Sequence, residues 1–449
     1  MTPVTTPEPP EEIVRALRRG GFEAAEAYVK RGRSRRVERT PHGEVASFHQ
    51  ERGWAVRAGA KQGGTFFATG TGEPPLNPRQ GAWPTVAKGQ PLELPEAQPP
   101  AAWNEPSDFD APLLGETEGL RLLESLGRAL EAELPGVRVL RSALDDGSSE
   151  AELASSRGVR ARLRHRLAAL HVEACLPGPA APAATLYLAA REARRFSPPA
   201  LARQLAARLS VAAEGRPPEP GLGEEVLLAP PAAVRLLAGL LPLFVGPRAG
   251  HRLTALRDSR GRIGSELFTL IDDGRLPGGA FEAPADGEGM PTREAILVEQ
   301  GVFRQPLLAW WQAAGEEGAP SGCSRRPGWR DLPSPGPTHL YLRADPRVSV
   351  AALVGAVRRG AYLLDATAAP RIDLETDRFA LPACGLTLEK GRAVAPLAGA
   401  WLHGRISALL RGLAATARDL TFLPLDGMLG SPTLLVTGLE LSAGPEPAV

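Results

Sequence analysis

Residues 266–304 read ELFTLIDDGRLPGGAFEAPADGEGMPTREAILVEQGVFR, and they carry the densest structural signal in the chain. The apolar run Leu267-Phe268-Thr269-Leu270-Ile271 closes on Asp272-Asp273-Gly274, a strand followed by a turn signal. Paired glycines, Gly278 and Gly279, lead to an acidic loop, Asp286-Gly287-Glu288-Gly289, and then to Pro291-Thr292. A second strand at 295–298 runs through Glu299-Gln300-Gly301 into a third. Two acidic, glycine-marked loops between strands predict a sheet edge with a lined cleft. Its candidate residues are Asp272, Asp273, Gly278, Gly279, Asp286, Glu288 and Gly289. Adjacent aspartates at a strand end point to opposite faces, so at most one of Asp272 and Asp273 serves a given cleft. Turn formation is their plainer role.

Working outward, 449 residues exceed one ordinary core and predict two or three domains. Lys plus Arg (52) nearly cancels Asp plus Glu (51), so net charge points to neither nucleic acid nor membrane. Three cysteines, Cys175, Cys323 and Cys384, lie far apart and form no disulfide framework, which suits a reducing, cytoplasmic setting. The start, MTPVTTPEPPEE, is polar and acidic, unlike a signal peptide. The longest apolar candidate, 234–245, is interrupted by Arg235 and Pro242 and reads as a buried helix rather than a span.

The fold class predicted is α+β. An N-terminal helix-plus-antiparallel-sheet domain occupies 11–214, with a proline-rich surface excursion at 72–112. A β-rich domain with a curved or barrel-like sheet and flanking helices occupies 224–443, after the linker GRPPEPGLG at 215–223. A helix at 11–19 precedes short strands at 26–31, 35–40, 45–51, 54–60 and 65–69. A helix at 119–134 follows, then strands at 137–143 and 150–155 that turn at Asp145-Asp146-Gly147. Residues 160–173 fit strand or helix about equally; 198–213, 232–241, 348–358 and 405–417 read as helices, and 433–441 as a closing strand. An internal echo, ILVEQGVFRQPL at 296–307 and LTLEKGRAVAPL at 386–397, predicts two equivalent hairpins in one sheet.

Several chemistries find no support. The seven histidines (42, 49, 165, 171, 251, 339, 403) offer no helical zinc-ligand pair with a neighbouring glutamate. Cys323, in PSGCSRR at 320–326, has two arginines that would lower a thiol pKa but no nearby histidine to act as base. Basic runs at 30–36 and 157–166 lack interleaved aromatics and read as solvated strand faces. Neither a strand–GxGxxG–helix unit nor a GxxxxGK[ST] loop is present.

The ordered set LIDDG (270–274) with PGG (277–279), DGEGMPTR (286–293), ILVEQG (296–301), LTLEKG (386–391) and GSPTLLV (430–436) resembles the TldD/PmbA (TldE) family, once called modulators of DNA gyrase. The segments 24–70 and ELASSRG (152–158) resemble its first domain more loosely. The resemblance implies a heteromeric, cytoplasmic metallopeptidase system acting on unstructured peptides. In that family the TldD-type subunit carries a HExxxH zinc helix and a cysteine ligand near its C-terminus, and the TldE/PmbA-type subunit lacks them. Here Ala238, Gly239 and Leu243 stand at the first ligand, glutamate and second ligand positions, and 420–430 holds no cysteine. The chain therefore resembles the non-catalytic type: no catalytic or metal residues and no cofactor of its own, zinc being expected only in a TldD-like partner. The partner is either that subunit or a second copy of this chain. The 266–304 loops then serve as architecture and as an edge for an extended peptide. Two rival readings are a stand-alone hydrolase with a non-metal site using Cys323, and a peptide-binding protein without a catalytic partner.

Overall fold

The structure is a computed structural model that describes residues 9–61, 64–74, 85–87, 92–99, 109–178, 182–222, 224–254, 256–313 and 322–444. Residues 1–8 and most of the proline-rich excursion at 72–112 lie outside these residues.

Helix α1 (Pro10–Arg19) begins on a proline, carries Glu11 and Glu12 in its first turn and Arg18 and Arg19 in its last, and buries Ile13, Val14 and Leu17. Those charges oppose the helix dipole at each end. Next comes a seven-stranded antiparallel sheet in the order β4-β3-β2-β1-β5-β6-β7. Its strands are β1 (Ala24–Thr40), β2 (Gly43–Gly59), β3 (Thr65–Gly70), β4 (Thr85–Ala87), β5 (Arg138–Ser155), β6 (Arg160–Cys175) and β7 (Ala183–Ala190).

The short strands expected at 26–31 and 35–40, and at 45–51 and 54–60, are in fact two unbroken strands, β1 and β2, of 17 residues each. Gly53 does not end a strand; it lets the Trp329 indole approach, and a Cβ there would lie 2.2 Å from the ring. Asp145-Asp146-Gly147 is likewise no turn, because β5 pairs through it with β1 and β6. Buried Asp146 is held by Arg166 at 3.2 Å and accepts the Leu114 N–H at 2.6 Å. Segment 160–173 is strand, and its period of two sorts the sheet's faces. Arg166, Ala168, Leu170 and Val172 are buried toward helices α2 (Glu116–Glu133) and α3 (Pro198–Glu214), whereas Leu163, His165, Leu167 and Ala169 line an open cleft on the other face.

From residue 225 the chain builds two mixed sheets around one helix. The eight-stranded sheet contains β8 (Glu225–Leu228), β15 (Arg359–Ala366), β16 (Arg371–Asp373), β17 (Arg378–Glu389), β18 (Arg392–Arg405), β19 (Leu413–Thr416), β22 (Leu434–Thr437) and β23 (Glu440–Ala443). The six-stranded sheet runs β11-β10-β9-β14-β21-β20, from β9 (Leu270–Asp273), β10 (Glu294–Glu299), β11 (Val302–Phe303), β14 (His339–Leu342), β20 (Thr421–Pro424) and β21 (Met428–Ser431). A two-stranded ribbon, β12 (Ser324–Arg325) with β13 (Ser334–Pro335), stands apart. Helix α4 (Pro230–Leu240) touches both sheets and shares one apolar core with them. It is apolar almost all round, as a helix buried on every side must be.

The echoed hairpins exist, with Gln300-Gly301 and Lys390-Gly391 both at positive φ, the signature of a tight two-residue turn. They lie in different sheets, not one, and neither sheet closes into a barrel. The helix expected over 405–417 stops at Arg411, since Gly412 approaches the Thr437 carbonyl and the chain continues as β19. The closing strand breaks at Gly438 (φ 76) into β22 and β23. Among the described residues, no helix is long and apolar enough to cross a membrane.

Candidate functional site

The cleft lies between the helix-free face of the N-terminal sheet and loops of the C-terminal sheets, and measures about 1040 Å³. Alternate residues of β1 (Tyr28, Lys30, Gly32, Ser34) and of β5 (Asp145, Gly147, Ser149, Ala151) join β6 in forming its floor. Its roof is made by segments 281–292, 322–327 and 334–338 and by Leu241-Pro242 just past α4.

A buried ion cluster fixes roof to floor. Arg57 Nε donates to Glu26 Oε1 at 2.9 Å, and its Nη2 donates to Glu26 Oε2 at 2.7 Å and to Glu288 Oε1 at 3.2 Å. Arg326 also donates to Glu26, and its Nε donates to the Gly287 carbonyl at 2.8 Å. Burial works to raise the Glu26 pKa, but Arg326 and Arg57 outweigh it and hold the carboxyl below its ordinary value. Beside this cluster Trp329 packs with Tyr28, Ala55, Leu153 and Val159 across the junction.

The structure separates the seven candidate residues. Asp286 lines the cleft. Its carboxylate accepts the N–H groups of Glu288, Met290 and Ser324 at 2.9, 3.0 and 3.0 Å, so it folds the loop around itself. Burial, with Glu288 adding to it, raises its pKa to about 7. Glu288 is wholly buried in the ion cluster, where its second oxygen accepts the Trp310 N–H at 2.7 Å. Gly289 sits at φ 78 against the floor, and a Cβ there would meet Val159 at 2.4 Å.

The other four candidates gather around β9. Asp272 is buried and accepts the Thr338 N–H at 2.8 Å; burial raises its pKa to about 7. Asp273 accepts the Arg275 N–H at 2.8 Å in a turn, and its carbonyl accepts from His339 Nδ1 at 2.9 Å. His339 Nε2 then accepts the Phe281 N–H at 3.2 Å, which fixes the tautomer, and a Cβ at Gly279 would collide with that ring at 2.4 Å. Gly278 is exposed at φ 73.

Sequence reasoning passed over Glu26 and Arg57, and took Arg325 and Arg326 only as neighbours of the Cys323 thiol, not as members of the cleft or its ion cluster. The signal was present for two of them: Glu26 and Arg57 are lone charges in the apolar runs Ala24–Val29 and 54–60. The rule that a buried charge needs a partner marks such positions. Cys323 is 1% exposed, and its Sγ lies 3.5 Å from the Leu308 carbonyl.

With this geometry in hand, comparison with known proteins is informative. The PmbA/TldA metallopeptidase C-terminal domain matches residues 224–443. Residues 224–443 belong to the PmbA/TldD family. The chain is 26% identical over 198 residues to a metalloprotease TldD homolog of Haemophilus influenzae, covering 38% of this chain and 40% of that protein. It is 32% identical over 123 residues to an uncharacterized protein of Methanocaldococcus jannaschii, covering 26% of this chain and 29% of the other. These sequence matches thus span well under half the length of either relative. Among solved structures, TldE from Thermococcus kodakarensis superposes with TM-score 0.83 at 18% identity, over 96% of this chain and 99% of that one. A Thermotoga maritima protein described as a modulator of a DNA gyrase gives 0.80 at 18% identity, with the same coverage. At that identity the likeness speaks for the fold.

The positions that the sequence resemblance sets against zinc ligands, Ala238, Gly239 and Leu243, lie at the end of α4 and in the turn just after it. Ala238 packs against the C-terminal core, Leu243 is 1% exposed, and a Cβ at Gly239 would lie 2.8 Å from Ile372 and 2.9 Å from Pro370. Among the described residues, no group of three or more His, Cys, Asp or Glu is placed to hold a metal ion.

Proposed function

We propose that this chain is a TldE/PmbA-like subunit that pairs with a zinc-bearing TldD-like relative and forms part of the cleft in which unstructured peptides are handled. The observation that carries this reading is the end of α4. Zinc is held by imidazole, thiolate or carboxylate. The methyl of Ala238, the hydrogen of Gly239 and the isobutyl of Leu243 supply none of these, and Ile372 and Pro370 leave no room for a side chain at 239. These residues do not fit a zinc ion, and no hydrolytic step is assigned to them.

The cleft suits an extended chain. Three long strands present alternate side chains to it, and Lys30, Arg325 and Asp286 give it polar points among apolar ones. The rival reading, a hydrolase using Cys323, is disfavoured by the burial of that thiol, because a nucleophile must reach its substrate.

The test is peptide cleavage by the purified chain alone, by a TldD-like relative alone, and by both together. The expected result is no cleavage by this chain, and co-purification of the pair with cleavage that resists Cys323→Ala and stops with a chelator. Cleavage by this chain alone would sink the proposal.

A further inference from the structure

Arg33 and Arg252 line the cleft exposed and without an ion pair, but of the cations buried in it one lacks a counter-charge among the described residues. Arg325 on β12 donates from Nη1 to the Pro337 carbonyl, and its guanidinium lies 4.4 Å from the Phe281 ring centroid. Its remaining N–H groups form no ion pair with a described residue; Asp272 and Asp426 act on it only through space. The neighbouring cations are otherwise engaged: Arg326 is tied to Glu26, and Lys30 lies 2.9 Å from Glu51. Arg325 is the exception, although burial in this cleft penalises a bare charge.

The backbone that carries it is fixed on both sides. Ser324 donates its N–H to Asp286 at 3.0 Å and accepts the Gly287 N–H at 2.6 Å, while Arg325 pairs with Ser334. The guanidinium is therefore held ready, and ordering it costs little when a ligand arrives. Around it, His165 Nδ1 and Ser324 Oγ are buried with no partner among the described residues. Burial and then the charges of Arg325 and Lys30 push the His165 pKa down to about 4, so the imidazole is neutral and the local field is positive. A planar fork with unused donors, over a cleft long enough for several residues, matches a carboxylate better than a round anion.

We propose that Arg325 is the anchor for a carboxylate of an extended peptide bound in this cleft. The inference rests on the reading of the cleft as a peptide site and adds the feature of the peptide that is recognised. The carboxylate can come from the peptide's C-terminus or from an acidic side chain, and the chemistry at Arg325 is the same.

The experiment is calorimetric titration of the full chain with three unstructured eight-residue peptides of one neutral sequence: the free acid, the C-terminal amide, and an amide with one internal glutamate. The expected result is that at least one carboxylate-bearing peptide binds roughly tenfold more tightly than the neutral amide. Which one identifies the source. Arg325→Gln should remove that preference, and Arg325→Lys should retain part of it, with melting curves confirming that both variants fold. Should either fail to fold, the acid-versus-amide comparison on the unaltered chain still decides. Equal binding of all three peptides, unchanged by Arg325→Gln, overturns the anchor while leaving the peptide reading intact. Binding of none of them, alone or with a TldD-like relative present, overturns both.

Discussion

At Glu288 a carboxylate with no exposure meets Arg57 of the N-terminal sheet at 3.2 Å and accepts the Trp310 N–H at 2.7 Å. Removing Glu288 leaves two buried arginines, Arg57 and Arg326, sharing the single carboxylate of Glu26. Glu288→Ala is therefore expected to cost about 3–5 kcal/mol of stability in urea unfolding. Its acidic neighbours were legible in the sequence as a loop, but Glu288's partners were not, because Arg57 lies 231 residues away. A different logic governs Asp272. Burial raises its folded pKa to about 7 from the ordinary value of 3.8, so the folded state holds a proton that the unfolded chain has released. Stability from this group is fully present below the lower value and is lost as pH rises toward the upper one, at about 1.4 kcal/mol per pH unit inside that window. Asp272→Asn keeps an acceptor for the Thr338 N–H and removes the titration. Melting temperature followed from pH 4 to 8 should fall less for the variant than for the parent chain; parallel curves would refute the assignment.

Among the elements, strand and helix identity was legible wherever periodicity was strong, as in α1, α2 and α3. The errors came where one strand was divided, at 52–53, and where Asp145-Asp146-Gly147 was read as a turn. Gly53 and Asp146 sit in mid-strand because a distant residue, Trp329 or Arg166, occupies the place that makes them fit. No local pattern reports such a contact. Gly53→Ala is the direct check: its Cβ would sit 2.2 Å from the Trp329 indole, so the packing of Trp329 on the N-terminal sheet must open or the ring must move. A loss of about 1–3 kcal/mol, with altered Trp329 fluorescence, is the expected outcome. Wild-type stability and spectrum would show that Gly53 is merely a tolerated strand glycine. Helix α4 is the opposite case: its burial was plain from composition.

For the whole molecule, the sequence yielded two sheet-bearing regions and their order, but not how they meet. The meeting is what creates the cleft, through Glu26, Arg57, Glu288 and Arg326 inside and Trp329 beside them. These contacts hold a preformed cavity whose floor and roof come from different halves of the chain. In this account, the chain contributes shape and a positive anchor, and a partner contributes the metal. The most direct measurement is metal content per chain by elemental analysis, for this protein purified alone and in complex with a TldD-like relative. The account predicts no stoichiometric zinc in the chain alone and one zinc per pair in the complex. Stoichiometric zinc bound by this chain alone would contradict it.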